Sequence, residues 1–197
     1  MATQEQRSKT TKAKLLAAFR ASFLERGFEA TTMQQTLADT GLSKGAMYHH
    51  FRGKAEVIEA LYEEESRGAI ERAMASAGEA GSPLVRLRDM CLAWTKEVRD
   101  RDVAKILFSV GPSALGVDKA REIENGLGLK YIEELLQEAV DAGDIALADP
   151  RLTASFINAL VGEAAIHYIR TKNDPREALG QTLDAVLGLV SPTRAAS

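Results

Sequence analysis

The sequence predicts an all-α protein of about nine helices, an N-terminal three-helix unit followed by a larger helical body. Three observations carry this. β-branched residues are sparse beside Ala, Leu, Glu, Lys and Arg, which favour helix, and aromatics make up only 6% of the 197 residues. Apolar residues recur at three- and four-residue steps along most of the chain. Cap-plus-proline signals at Ser82-Pro83, Asp149-Pro150 and Asp174-Pro175 mark helix starts. No internal repeat, low-complexity segment or convincing strand pattern is present.

The first helix is expected to be capped by Thr10 or Thr11. Leu15, Leu16, Phe19 and Phe23 give it a core-facing side, and Gly27 ends it, with Phe28 folding back onto its last turn. Thr32, with Gln35 three residues on, makes a capping box and starts a second helix at Met33. Met33, Leu37 and Ala38 are its apolar face. Gly41 supplies the positive φ of the turn, and Ser43 caps a third helix from Lys44 to about His50. Two short helices joined by a Gly-containing turn are the helix-turn-helix layout, whose second helix enters the DNA major groove. Phe51 reads as a core anchor.

A fourth helix is expected over 54–77. It is long enough, at ~1.5 Å per residue, to join two domains. The stretch GEAGSP at 78–83 is the clearest break. A fifth helix follows with Leu84, Leu87, Cys91, Trp94 and Val98. A short sixth follows Asp102 and is expected to break at GPSALG, 111–116. The seventh, 118–142, stops at Gly143. The eighth and ninth start at Asp149-Pro150 and Asp174-Pro175, and the ninth ends near Ser191-Pro192. The expected domains are 1–53 and 54–197.

Charge supports this division. Residues 1–55 hold nine Lys/Arg against four Asp/Glu, a net +5. With the whole chain at −3, the remainder carries −8. A basic end and an acidic body suit a protein that presents one end to a polyanion. Cys91 is the sole cysteine, which excludes an internal disulfide and fits a reducing, cytoplasmic setting. The N-terminal residues lack the apolar core of a signal peptide, and no apolar run approaches 18 residues, so no membrane partner is expected. There is no nucleophile elbow, phosphate loop or zinc motif, so neither enzymatic activity nor a catalytic residue, metal or cofactor is expected.

The run T-x-x-x-x-L-A-x-x-x-G-L-S-K-G-A-x-Y-x-H-F-x-x-K over 32–54 resembles the DNA-binding signature of TetR/AcrR-type transcriptional regulators. The likeness covers roughly residues 10–60. Beyond it the similarity is in length and helical layout, together with GPSALG at 111–116, which resembles a segment in the ligand-binding half of such regulators. The resemblance implies that the third helix lies in the groove while Thr32, Tyr48 and Lys54 fix the phosphate backbone.

The residue chemistry agrees. Gly45 and Ala46 let the backbone approach base edges, and Ala46 suits a thymine methyl. Tyr48 has the reach for a phosphate oxygen, while Lys44 and His49 reach either a base or a phosphate. Thr32 and Ser43 stand at helix starts, where free N–H groups suit phosphate. An effector pocket is expected among Trp94, Phe108, Tyr131 and His167, with Glu163 and Asn158 as further polar candidates. Aromatics at helical spacing serve equally as plain core. The eighth and ninth helices are apolar around more than one face and therefore need burial on both sides. Phe156, Ile157, Leu160, Val161, Ala164, Tyr168, Leu183 and Val186 are the expected dimer contacts, in the two-fold four-helix bundle that the resemblance implies.

The expected function is a homodimeric regulator, a repressor released by a small-molecule effector from a pseudo-palindromic double-stranded operator. Two alternatives stand beside it: a regulator controlled by a protein partner, and a helical interaction module that binds no DNA.

Overall fold

The structure, a computed structural model, describes residues 3–190. Among these residues there are nine helices and no strand. They are α1 (Gln4–Ala30), α2 (Met33–Ala38), α3 (Lys44–His50), α4 (Lys54–Ala77), α5 (Pro83–Glu97), α6 (101–115), α7 (117–141), α8 (Pro150–Thr171) and α9 (Arg176–Val190). The expected end near Ser191-Pro192 lies outside the described residues.

Most boundaries follow local chemistry. Thr32, Ser43, Ser82 and Asp149 each cap a helix, their side-chain oxygens accepting from the backbone N–H groups of Gln35, Ala46, Val85 and Leu152. Gly41 and Gly143 take the positive φ their turns require. Three expectations fail. Gly27 kinks α1 with a φ of +81° rather than ending it, and the helix runs on to Ala30. α1 begins at Gln4, not beside Thr10 or Thr11, because Thr3 and Gln6 form a complete capping box further upstream. The hydroxyls of Thr10 and Thr11 instead donate to the carbonyls of Gln6 and Arg7 within the helix. GPSALG does not break α6 at its start. Residues 106–110 widen into a π turn in which the Gly111 N–H donates to Ile106 O, five residues back. That wider turn accommodates Pro112, and the helix ends only at Gly116, φ +83°.

The chain groups into two compact units. One comprises the residues up to Glu65 together with Lys105–Arg121; the other comprises Ser66–Ala104 and the residues from Glu122 on. The first half of α4 and most of α6 group with the N-terminal helices.

In the first unit, Leu15, Phe19 and Phe23 of α1 are fully buried, with Met47 of α3 and Val57, Ile58 and Tyr62 of α4. Gly111 of α6 allows a close approach to α4, because a Cβ there would lie 2.2 Å from the Tyr62 ring. The Tyr62 hydroxyl donates to Leu107 O at 3.3 Å.

In the second unit, α5, α7, α8 and α9 enclose a core of Leu87, Cys91, Ile132, Leu136, Ala154, Ile157, Val161 and Leu183. Burial pushes the Cys91 thiol up to about 12, so it stays protonated. By length and composition alone α8 is apolar enough to cross a membrane, a property that the core helix of a globular protein shares. Ala154, Ile157, Val161 and Ala165 turn one of its sides into this core.

Candidate DNA interface

The helix-turn-helix is held by a polar joint rather than by the apolar face expected for α2. Met33 and Leu37 are only half-buried and Ala38 is exposed, whereas Thr36 is fully buried. The Thr36 hydroxyl donates to Ser22 Oγ at 3.1 Å. Thr31 Oγ1 lies 2.8 Å from Gly27 O and 3.2 Å from Ser22 O. Arg26 also donates to Ser22 Oγ, at 2.9 Å. Buried hydroxyls in such a network fix a single geometry, because leaving any one unpaired costs desolvation. Reading for apolar period alone misses these residues. The two threonines flanking the start of α2 were the available signal.

α3 is anchored by Met47, fully buried, and by Phe51 just beyond it, 3% exposed. This fixes which side of α3 faces out. Thr32, Ser43, Lys44, Gly45, Tyr48 and His49 are all exposed, and Ala46 is half-exposed. Tyr48 is 42% exposed, a large aromatic left outward by the fold. Lys44 places its ammonium 5.8 Å from the Tyr48 ring centroid, so the two side chains stand together. The face combines small residues, hydroxyls, an imidazole and a cation, the groups that suit base edges and phosphates. His50 turns partly inward, its ring edge-on to His49 at 5.2 Å. Burial first, then the neighbouring His49 and Lys12, hold its pKa below the ordinary 6.5.

Lys54 is placed differently from the rest. Its ammonium donates to Phe28 O at 2.7 Å and Glu29 O at 3.2 Å and sits 4.3 Å over the Phe28 ring. It closes the carbonyl end of α1 onto the start of α4.

The residues expected to meet an effector fall in both units. Phe108 groups with the first unit, whereas Trp94, Tyr131 and His167 belong to the second. Trp94 and Tyr131 are half-buried against the second core, but His167 is exposed. The four do not form one cluster within a unit. Of the expected dimer contacts, Ile157, Val161 and Leu183 are 0%, 6% and 0% exposed in the core of their own unit. They point inward because they repeat in step with Ala154 and Ala165 on the same stripe of α8, and with Leu179 and Leu187 on α9. Phe156, Leu160, Ala164, Tyr168 and Val186 remain partly or wholly exposed. Phe156 is 60% and Leu152 50% exposed, one turn apart on the outer side of α8. Leu152 stands at i, i+4 spacing from Phe156, so the two side chains are neighbours on the helix surface.

Residues 84–192 match the tetracyclin repressor-like C-terminal domain, and residues 15–61 match the bacterial regulatory proteins of the tetR family. The chain belongs to the TetR family. This is the family that the resemblance over 32–54 pointed to.

Among relatives, the transcriptional repressor KstR2 of Mycobacterium tuberculosis is 25% identical over 120 residues, 61% of this chain and 56% of that one. The chain thus spans little more than half the length of that relative. A TetR-family regulator structure from Pectobacterium atrosepticum is 27% identical and covers 95% of each chain, with a TM-score of 0.66. A SmeT–triclosan complex, 23% identical over 95% of each chain with a TM-score of 0.70, shares the fold.

Proposed function

We propose that this TetR-family chain is a homodimeric repressor that leaves its operator when a small-molecule effector binds. The functional domains are a DNA-binding part, 1–53, and an effector and dimerisation part, 54–197, with α4 as the element that carries the signal. The observation behind this reading is the outward face of α3, where Ser43, Lys44, Gly45, Ala46, Tyr48 and His49 stand clear of the core residues Met47 and Phe51. Thr32, at the start of α2, and Tyr48 take phosphates. Lys44, Ala46 and His49 reach base edges.

The second copy docks on α8 through the outward Phe156 and Leu152, with Leu160 and Ala164 at the edge of the core and the half-buried Tyr168, and on Val186 of α9. An apolar ring 60% exposed is otherwise unfavourable in water. A dimer sets two recognition helices about one helical turn of DNA apart, roughly 34–36 Å or wider, and calls for a pseudo-palindromic operator.

The effector reading rests on the size of the second part and on the likeness of fold to SmeT, solved as a complex with triclosan. Trp94 and Tyr131 are the aromatic groups retained for it. The effector acts only through unequal affinity for two conformations. A coupling of about 1–3 kcal/mol changes operator affinity about 5–150-fold.

Operator release followed together with Trp94 fluorescence tests this proposal. Trp94→Ala keeps operator binding and loses the response to an effector found by native mass spectrometry of the purified chain. A response that survives both Trp94→Ala and Tyr131→Ala places the effector elsewhere.

A further inference from the structure

The first three turns of α1 bury nothing. Every side chain from Thr3 to Lys14 is exposed or half-exposed, and the first buried residue is Leu15. The match to the family also begins only at residue 15. This stretch is nonetheless helical and closed by a capping box. Hydrophobic burial does not account for it, and its content is charge: Arg7, Lys9, Lys12 and Lys14 against the single acid Glu5.

Two of these cations share a side. Lys9 and Lys12 are three residues apart and so stand one above the other on the helix. Their side adjoins the recognition helix, because the Lys12 ammonium lies 5.9 Å from the centroid of Phe51, the residue directly after α3. Lys9 continues the line one turn further out. Its pairing with Glu5 joins two side chains that are each 76% exposed, a solvated contact that a phosphate readily replaces. Arg7 and Lys14 stand on roughly the opposite side.

A helix seated in the major groove has phosphate strands along both rims of a groove about 12 Å wide. Cations aligned beside the end of α3 face a rim. Resting on the reading of α3 as the recognition helix, we propose that Lys9 and Lys12 form a second DNA contact that grips the phosphate backbone beside the groove. The contact carries no base preference. It widens the footprint beyond the family's shared domain and adds counterion release to binding.

The experiment uses the full chain and a 40-bp duplex carrying an operator selected from random sequence with the wild-type protein. Affinity is measured from 50 to 200 mM salt for wild type, for Lys9→Gln/Lys12→Gln, and for the opposite-side pair Arg7→Gln/Lys14→Gln. Removing one lysine–phosphate pairing lowers the slope of log affinity against log salt by ~0.9, a ~3.5-fold smaller drop over this range. The expected result is a slope lower by up to ~1.8 per bound subunit for Lys9→Gln/Lys12→Gln, with the slope retained in Arg7→Gln/Lys14→Gln. Lys9→Gln alone leaves the Lys12–Phe51 contact in place and shows half the decrease. An unchanged slope in Lys9→Gln/Lys12→Gln, whatever its affinity, overturns the proposal. So does an equal drop in both pairs, which indicates diffuse attraction.

Discussion

Replacing Lys54 with Met separates two roles that one lysine is able to play. In the structure its ammonium donates to Phe28 O and Glu29 O and covers the Phe28 ring, 4.3 Å from the centroid. Phe28 in turn lies 5.6 Å from Phe23, which is fully buried. Lys54 therefore works as a clasp between α1 and α4. Met keeps the length and apolar stem but removes the charge and its donors. Hydrogen bonds from a charged group contribute about 1.5–3 kcal/mol each when well shielded, and a cation over a ring about 0.5–1 kcal/mol at an exposed site. Lys54 is half-buried and water partly replaces what is removed, so a destabilisation of about 2 kcal/mol is expected for the whole clasp. Urea titration reads it as a lower midpoint with an unchanged slope. Operator binding weakens as α2 loses its fixed start, while its salt dependence stays as in wild type. Undiminished stability, with a salt slope lower by ~0.9, makes Lys54 a phosphate contact and refutes the clasp.

Three further outcomes are expected. Gly111→Ala puts a methyl 2.2 Å from the Tyr62 ring, and overpacking of this kind costs ~1–3 kcal/mol; a wild-type melting temperature contradicts the packing of α6 on α4. Phe156→Arg gives monomer by analytical ultracentrifugation at micromolar concentration with the helical spectrum intact, and a persistent dimer moves the interface off the outer side of α8. The folded pKa of His50 lies below the 6.5 of an unfolded chain, so its contribution is full above that value and is lost as pH falls through the folded pKa. His50→Gln therefore flattens the fall of melting temperature below pH 6.5, and an unaltered acid limb removes His50 as its source.

Much of the fold was legible because helix ends have local chemistry. Thr32, Ser43, Ser82 and Asp149 each sit next to the backbone groups that they satisfy, so spacing in sequence is spacing in space. Features decided by distant partners were not legible. Ser22 and Thr36 are fourteen residues apart, and only the turn of α1 against α2 shows that they bond. Lys54 reads as a free cation until the fold brings Phe28 beneath it. On α8 the apolar residues were recognised but not sorted. Ile157 and Phe156 are neighbours in sequence, yet one is fully buried and the other 60% exposed. The outward set of α3 fared better, because Met47 and Phe51 alone fix its orientation.

Operator binding by variants of α3 tests the central claim most directly. Fluorescence anisotropy is measured on a selected operator and on its single-base-pair variants, for wild type, Lys44→Ala and Tyr48→Phe. Lys44→Ala is expected to cost about 1–3 kcal/mol and to relax preference at one base pair. Tyr48→Phe is expected to weaken binding to all sequences alike, as removal of a phosphate partner does. Wild-type affinity and preference in both variants, with the fold intact, contradict the assignment of α3 as the reading helix.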